Sequence, residues 1–148
     1  MLSITDKMIF LRRVSIFSSM TLEQIRVLTA HLDEQHFLAS EVILREGDFS
    51  QELYIIVSGK VRFVKDYGKP QERTLNILEA GDFFGEMAIF ENAPRSVTAV
   101  AVEEAELLVL SPDKFKQTIY QKPDMVFEIF RELSARLRRR EEESMTRT

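Results

Sequence analysis

The chain has 148 residues, 45% of them apolar and 30% charged, the balance of a single globular domain of ordinary size. Its 20 Lys+Arg stand against 24 Asp+Glu, so a net charge of −4 leaves it without the basic footprint of a general nucleic-acid binder. With no cysteine it can form no disulfide framework, zinc–thiolate site or thiol nucleophile, and it fits a reducing, cytoplasmic setting. No apolar run approaches the ~18 residues of a membrane span. Asp6, Lys7, Arg12 and Arg13 interrupt any signal-peptide core.

Residues 1–32 read as helical. Thr21 followed three positions later by Gln24 makes a capping box, and Leu22, Ile25, Val27 and Leu28 form a helical stripe. Residues 33–110 read as a run of short strands. Leu53 to Val57 is a continuous apolar run, the pattern of a buried strand. Val61, Phe63 and Val64 roughly alternate, and Ser96–Val102 and Glu106–Leu110 are rich in valine and leucine. Turn signals at Glu46-Gly47-Asp48, Ser58-Gly59-Lys60, Tyr67-Gly68-Lys69-Pro70 and Ala80-Gly81-Asp82 punctuate this block. Such spacing predicts a sandwich or small barrel rather than a βαβ sheet.

Residues 111–143 return to helix. Ser111-Pro112-Asp113 supplies a cap, a proline at the first helical position and an acid near the positive end of the dipole. Pro123-Asp124 repeats the opening. From there Met125, Val126, Ile129, Phe130, Leu133 and Leu137 predict one apolar helix face, suited to core packing or to a homodimer seam. Arg138-Arg139-Arg140-Glu141-Glu142-Glu143 reads as a solvated stretch with opposite charges at helical spacing.

All five glycines lie in the strand block, at 47, 59, 68, 81 and 85. Gly81 to Ile89 reads as a turn, a glycine that lets the backbone come close to something, and a short helix-forming stretch. The free amides of a helix start make an anion site. Ten residues after Gly85 comes Arg95, entering an otherwise apolar strand, where a guanidinium must be paired or solvated. A phosphate is a good partner, since it accepts two charge-assisted bonds. Ser96 adds a hydroxyl, and Glu86 can accept from a sugar hydroxyl. Taken alone, Glu86 also fits a helix-start acid and Arg95 a surface ion pair. Together they read as a pocket for a small ribose-phosphate ligand.

Phe84-Gly85-Glu86-Met87-Ala88-Ile89 through Pro94-Arg95-Ser96-Val97-Thr98-Ala99 closely resembles the phosphate-binding cassette of cyclic nucleotide-binding domains. These occur in catabolite activator proteins, regulatory subunits of cAMP-dependent protein kinase and cyclic nucleotide-gated channels. The gap from Gly85 to Arg95 matches the family without insertion, and the resemblance covers about residues 14–140. Val97 departs from the family's usual alanine. The resemblance implies an α+β, mainly β fold: a double-stranded β-helix jelly roll, or β-roll, over 33–110 with its cassette at 84–99. N-terminal helices (1–32) and two C-terminal helices (111–143) would flank it within one domain, 1–148.

It also implies that the chain is a non-catalytic sensor of a cyclic nucleotide. Glu86 would accept from the ribose 2′-hydroxyl and Arg95 would pair with the phosphate oxygens. The amides of Gly85 to Ala88, through Met87, and Ser96 would complete the cradle, with Phe84 and Val97 lining it. In the family a threonine after the cassette arginine accompanies cGMP preference, through a contact to the guanine amino group. Ser96 would make that contact only weakly, and serine there also occurs in cAMP-binding relatives, so cAMP is favoured over cGMP. Arg136 and Arg138–Arg140 follow the apolar face at the depth where relatives cap the base. Aligning Pro123-Asp124 with the family's helix start puts Arg140 and Glu141 near the base-contacting positions, which makes Arg136 and Arg140 the candidate caps. Ligand binding would then move the C-terminal helix to signal to a protein effector. Only eight residues follow Arg140, too few for the helix-turn-helix module of many bacterial relatives. That implies a stand-alone sensor or a piece of a larger protein without its output domain. A structural or interaction domain that keeps the fold but not the ligand is the alternative. An enzyme on such a roll would need a metal cluster or a nucleophile–base pair. His31 and His36, spaced i, i+5 without an acid triad, read as ordinary polar residues and not as metal ligands.

Overall fold

The computed structural model describes residues 2–85 and 91–146. Residues 31–115 form one compact unit, and the flanking helical segments 2–30 and 116–146 form a second.

The first unit holds eight strands among the described residues. They are β1 (Asp33–Phe37), β2 (Val42–Leu44), β3 (Leu53–Ser58), β4 (Lys60–Lys65), β5 (Arg73–Glu79), β6 (Phe83–Phe84), β7 (Thr98–Ala101) and β8 (Ala105–Leu110). They pair antiparallel into two four-stranded sheets, ordered β1-β8-β3-β6 and β2-β7-β4-β5. Leu44, Tyr54, Ile56, Val61, Leu78, Phe84, Ala99, Leu107 and Val109 make one buried cluster, with Phe37, Ile43 and Phe63 against it. The mainly β jelly roll expected from the sequence is the fold observed.

The sequence pattern explains this topology. The apolar run at 53–56 is buried without alternation, so β3 is covered on both faces. The switch from β3 to β4 takes one residue, Gly59, at φ +90°. A Cβ there would lie 2.5 Å from the Glu104 carbonyl oxygen and 2.7 Å from Ala105 Cα. Only glycine lets these two turns cross so closely. The broken alternation at Phe63 and Val64 is a register shift in the β4–β5 pair. The valine-rich stretch after Ser96 pairs over a shorter span than its composition suggests, from Thr98 to Ala101.

The second unit contains α1 (Ile4–Leu11), a 3-10 turn (Ser15–Phe17), α2 (Leu22–Ala30) and α4 (Met125–Thr146), with the later part of α3 (Pro112–Gln121). Its caps follow the sequence. Ser3 Oγ accepts the Asp6 N–H at 3.0 Å. The capping box closes in both directions: the Thr21 N–H donates to Gln24 Oε1 at 2.9 Å, and the Gln24 N–H to Thr21 Oγ1 at 3.2 Å. At the start of α3, Ser111 Oγ accepts the Lys114 N–H at 3.2 Å. Helix α4 packs on the 3-10 turn, burying Met125 and Ile129.

Two apolar stripes are narrower than the sequence predicts. Leu22 lies in the first turn of α2 and is exposed, while Ile25, Val27 and Leu28 are buried. On α4 only Met125 and Ile129 are buried; Val126, Phe130 and Leu137 are exposed, as is Phe127. The predicted face is therefore split, its buried part confined to Met125 and Ile129 in the first helical turns. The stretch from Arg138 to Glu143 is exposed, as its charge pattern predicts.

Candidate functional site

The site is built on a two-residue strand. β6 pairs with β3 through Tyr54 opposite Phe84 and Ile55 opposite Phe83. The approach is pinned: the Ile56 N–H donates to the Asp82 carbonyl and the Gly81 N–H to the Ile56 carbonyl, both at 2.9 Å. Asp82 Oδ2 accepts the Glu79 N–H at 2.8 Å. The Phe84 ring stacks on Tyr54 at 5.1 Å and meets the Phe63 ring edge-on at 5.5 Å. Burying this aromatic group fixes the residue that follows it, Gly85. The Tyr54 phenol is itself pushed above its ordinary pKa, first by burial and then by the Glu52 charge, with Arg95 acting in the opposite direction.

Gly85 has φ +85°. A Cβ on it would lie 2.6 Å from the Glu52 carbonyl oxygen and 2.8 Å from Arg95 Nη1. A side chain is thus excluded twice, by backbone conformation and by space. The Arg95 guanidinium fills that space, and the residue is only 7% exposed. Its Nε donates to Ser50 Oγ at 3.1 Å, its Nη2 to the Glu52 carbonyl at 2.8 Å, and its Nη1 to the Gly85 carbonyl at 3.5 Å. The Glu52 carboxylate stands 3.9 Å from Nη2. Neutral acceptors orient a guanidinium; a carboxylate also offsets its charge, which burial makes costly.

The main chain at Arg95 is held as firmly. Its N–H donates to the Asp48 carbonyl at 2.7 Å, and its carbonyl accepts the Gly47 N–H at 2.8 Å. The loop that supplies these partners is anchored next door. The Glu46 N–H donates to Thr98 Oγ1 at 3.0 Å, and the Glu46 carboxylate accepts from Lys65 Nζ at 2.9 Å and from the Asp66 N–H at 3.1 Å. These bonds, Lys65 first and the Asp66 amide second, hold the Glu46 carboxyl below its ordinary pKa. Lys65 Nζ also reaches the Ser96 carbonyl at 3.4 Å.

The residues named from the sequence fall as follows. Gly85 and Arg95 come together, whereas the Phe84 ring is buried in the core against Tyr54 and Phe63. Ser96 is exposed and Val97 half-buried, both between Arg95 and β7. Glu86, Met87 and Ala88 lie outside the described residues. Arg136 and Arg140 sit on α4 in the second unit, the first half-buried and the second exposed. The sequence reading missed Ser50, Glu52, Glu46 and Lys65. The sequence carries only a general signal, and for Ser50 and Glu52 alone: a buried arginine demands acceptors, and the polar stretch between Gly47 and the β3 run is a source of them without showing which residue serves.

His36 on β1 lies between two carboxylates. Its Nε2 is 3.0 Å from Glu104 Oε1 and its Nδ1 meets Glu106. The hydrogen bond to Glu106 raises its pKa most; desolvation opposes it, and the charges of Glu106, Glu104 and Glu41 add to the upward shift. Among the described residues no group of three or more His, Cys, Asp or Glu is arranged to hold a metal ion.

A buried guanidinium held against a single glycine has the chemistry to pair with an oxyanion, and the fold that presents it is an antiparallel jelly roll. The class so defined is a ligand-recognition roll. The chain matches the family model described as "Cyclic nucleotide-binding domain" over residues 34–122, and it belongs to that family. It is 33% identical over 123 residues to the cyclic AMP receptor protein of Thermus thermophilus, covering 83% of this chain and 57% of that one. It is 31% identical over 112 residues to the cGMP-dependent protein kinase egl-4 of Caenorhabditis briggsae, covering 74% of this chain and 15% of the kinase. The crystal structure of the N-terminal domain of a transcriptional regulator from Streptomyces coelicolor superposes with a TM-score of 0.82 at 26% identity, covering 91% and 94% of the two chains. The chain thus spans little more than half of the receptor protein it matches. Among the described residues no helix is long and apolar enough to cross a membrane.

Proposed function

We propose that this chain is a non-catalytic sensor that binds one 3′,5′-cyclic nucleotide, cAMP in preference to cGMP, in the β-roll. The observation that carries the reading is the buried Arg95 held against Gly85, which cannot bear a side chain. In this reading Arg95 pairs with the phosphate oxygens, and the amides from Gly85 to Ala88 and Ser96 complete the cradle. Glu86 accepts from the ribose 2′-hydroxyl. The preference for cAMP is supported by serine, not threonine, at position 96 and by the similarity to a protein named as a cyclic AMP receptor.

Occupancy of the roll is read out by α4, whose outward row of Phe127, Phe130 and Leu137 offers an apolar face for a second copy of the chain or for an effector. The relatives are regulators, and one places such a domain within a kinase. The effector or output domain is therefore a separate protein or another part of a longer chain.

Titration with a fluorescent cyclic nucleotide, competed by unlabelled cAMP and cGMP, tests the binding. Saturable binding with cAMP the stronger competitor supports the reading, and no binding leaves a structural domain. Hydrogen exchange over residues 123–140, with and without nucleotide, tests the readout. Unchanged exchange there, with protection gained near 85–96, would discard it and keep the pocket.

A further inference from the structure

We propose that the Glu52 carboxylate sets the ligand affinity of this site by competing with the ligand's phosphate for the Arg95 guanidinium; the inference rests on the cyclic-nucleotide reading above. Glu52 is built into the cradle through its backbone. Its carbonyl oxygen accepts from Arg95 Nη2 at 2.8 Å and is the atom a Cβ on Gly85 would strike, at 2.6 Å. That placement fixes where its side chain starts. The carboxylate then returns to the same nitrogen, with Oε2 3.9 Å from Nη2.

The two side chains differ in access to water: that of Arg95 is 6% exposed and that of Glu52 36%. The carboxylate is therefore the water-exposed member of the pair and the guanidinium the recessed one. An arginine stays charged under all ordinary conditions, so its charge is offset by an anion and not by losing a proton. A cyclic phosphate arriving at the guanidinium brings a second anion to a cation that already has one. Two like charges a few ångströms apart repel, and the exposure of Glu52 weakens that repulsion without abolishing it. Ser50 differs in sign. Its hydroxyl holds Nε at 3.1 Å as a neutral acceptor, so it orients the guanidinium without repelling a phosphate.

The test uses the full chain and cAMP as the probe. Glu52→Gln keeps the shape and the backbone carbonyl and removes the charge; Glu52→Ala removes the side chain and guards against misfolding of the first variant. Each should bind cAMP ~3- to 10-fold more tightly than the parent, and the gain should shrink as salt is raised. Ser50→Ala should not tighten binding. If the parent binds cAMP and both Glu52 variants bind it equally well or more weakly, the competition is refuted while the cyclic-nucleotide reading stands. If the parent binds neither cAMP nor cGMP, that reading falls and this inference falls with it.

Discussion

Arg95 Nη1 lies 2.8 Å from the point where a Cβ would project from Gly85, so these two residues, ten apart in sequence, occupy one piece of space. The arginine can be buried because the glycine has no side chain. The glycine's carbonyl and the Glu52 carbonyl in turn accept from the guanidinium. Structure and proposed recognition therefore depend on the same atoms.

Replacing Arg95 by alanine should weaken cAMP binding by ~2–5 kcal/mol, at least roughly thirtyfold in Kd, because the phosphate loses its charge partner. It should also destabilise the fold by ~1–3 kcal/mol, since the Glu52 carbonyl loses its donor. Arg95→Lys should recover part of the stability but little of the affinity, lacking the planar fork. Calorimetric Kd values and urea unfolding of both variants check this.

Gly85→Ala should cost about 2 kcal/mol or more of stability and abolish nucleotide binding. Its φ of +85° strains any L side chain, and a Cβ would press on the Glu52 carbonyl, which cannot retreat. Unfolding in urea, with nucleotide titration of the folded fraction, measures both effects.

Thr21→Ala removes the hydroxyl that accepts the Gln24 N–H at 3.2 Å. The expected loss is ~0.5–2 kcal/mol of stability. Nucleotide affinity should stay unchanged, because the lost bond is local to the start of α2, between Thr21 and Gln24. A changed Kd in this variant would show coupling to α2.

His36 gives a pH signature. Its folded-state pKa is raised, by Glu106 first, so the folded protein holds this proton more tightly than the unfolded chain does. The resulting stability is fully present below the unfolded value, ~6.5, and is lost as pH rises through the raised folded value. The parent should therefore exceed His36→Gln in melting temperature at pH 5.5, and the difference should vanish in mildly alkaline buffer. A difference independent of pH would assign His36 a packing role only.

What was legible in the sequence was local. The Thr21–Gln24 box, the Ser111-Pro112 start and the 53–57 run each depend on neighbours within a turn or a strand, and each formed as read. Strands β1 and β5 were not singled out, because both are sheet edges. Asp33 to Phe37 has a largely polar composition, and Leu75 and Ile77 on β5 are exposed. An edge strand is held by backbone pairing, which leaves little trace in side-chain patterning. At the site, Gly85 and Arg95 were legible because their spacing is fixed along the chain. Ser50 and Glu52 were not, since they meet Arg95 across 45 and 43 residues of sequence. The split face of α4 was illegible for a related reason: apolar periodicity shows which side can be buried, and a neighbour decides how much of it is.

Calorimetric titration of cAMP into the full chain, paired with thermal unfolding, tests the central proposal most directly. Saturable one-site heat is expected, with a weaker response to cGMP. At about 100 times Kd the bound ligand should add ~2.7 kcal/mol, raising the melting temperature on the order of 5–10 °C. No heat and no shift with either nucleotide at millimolar concentration would contradict it.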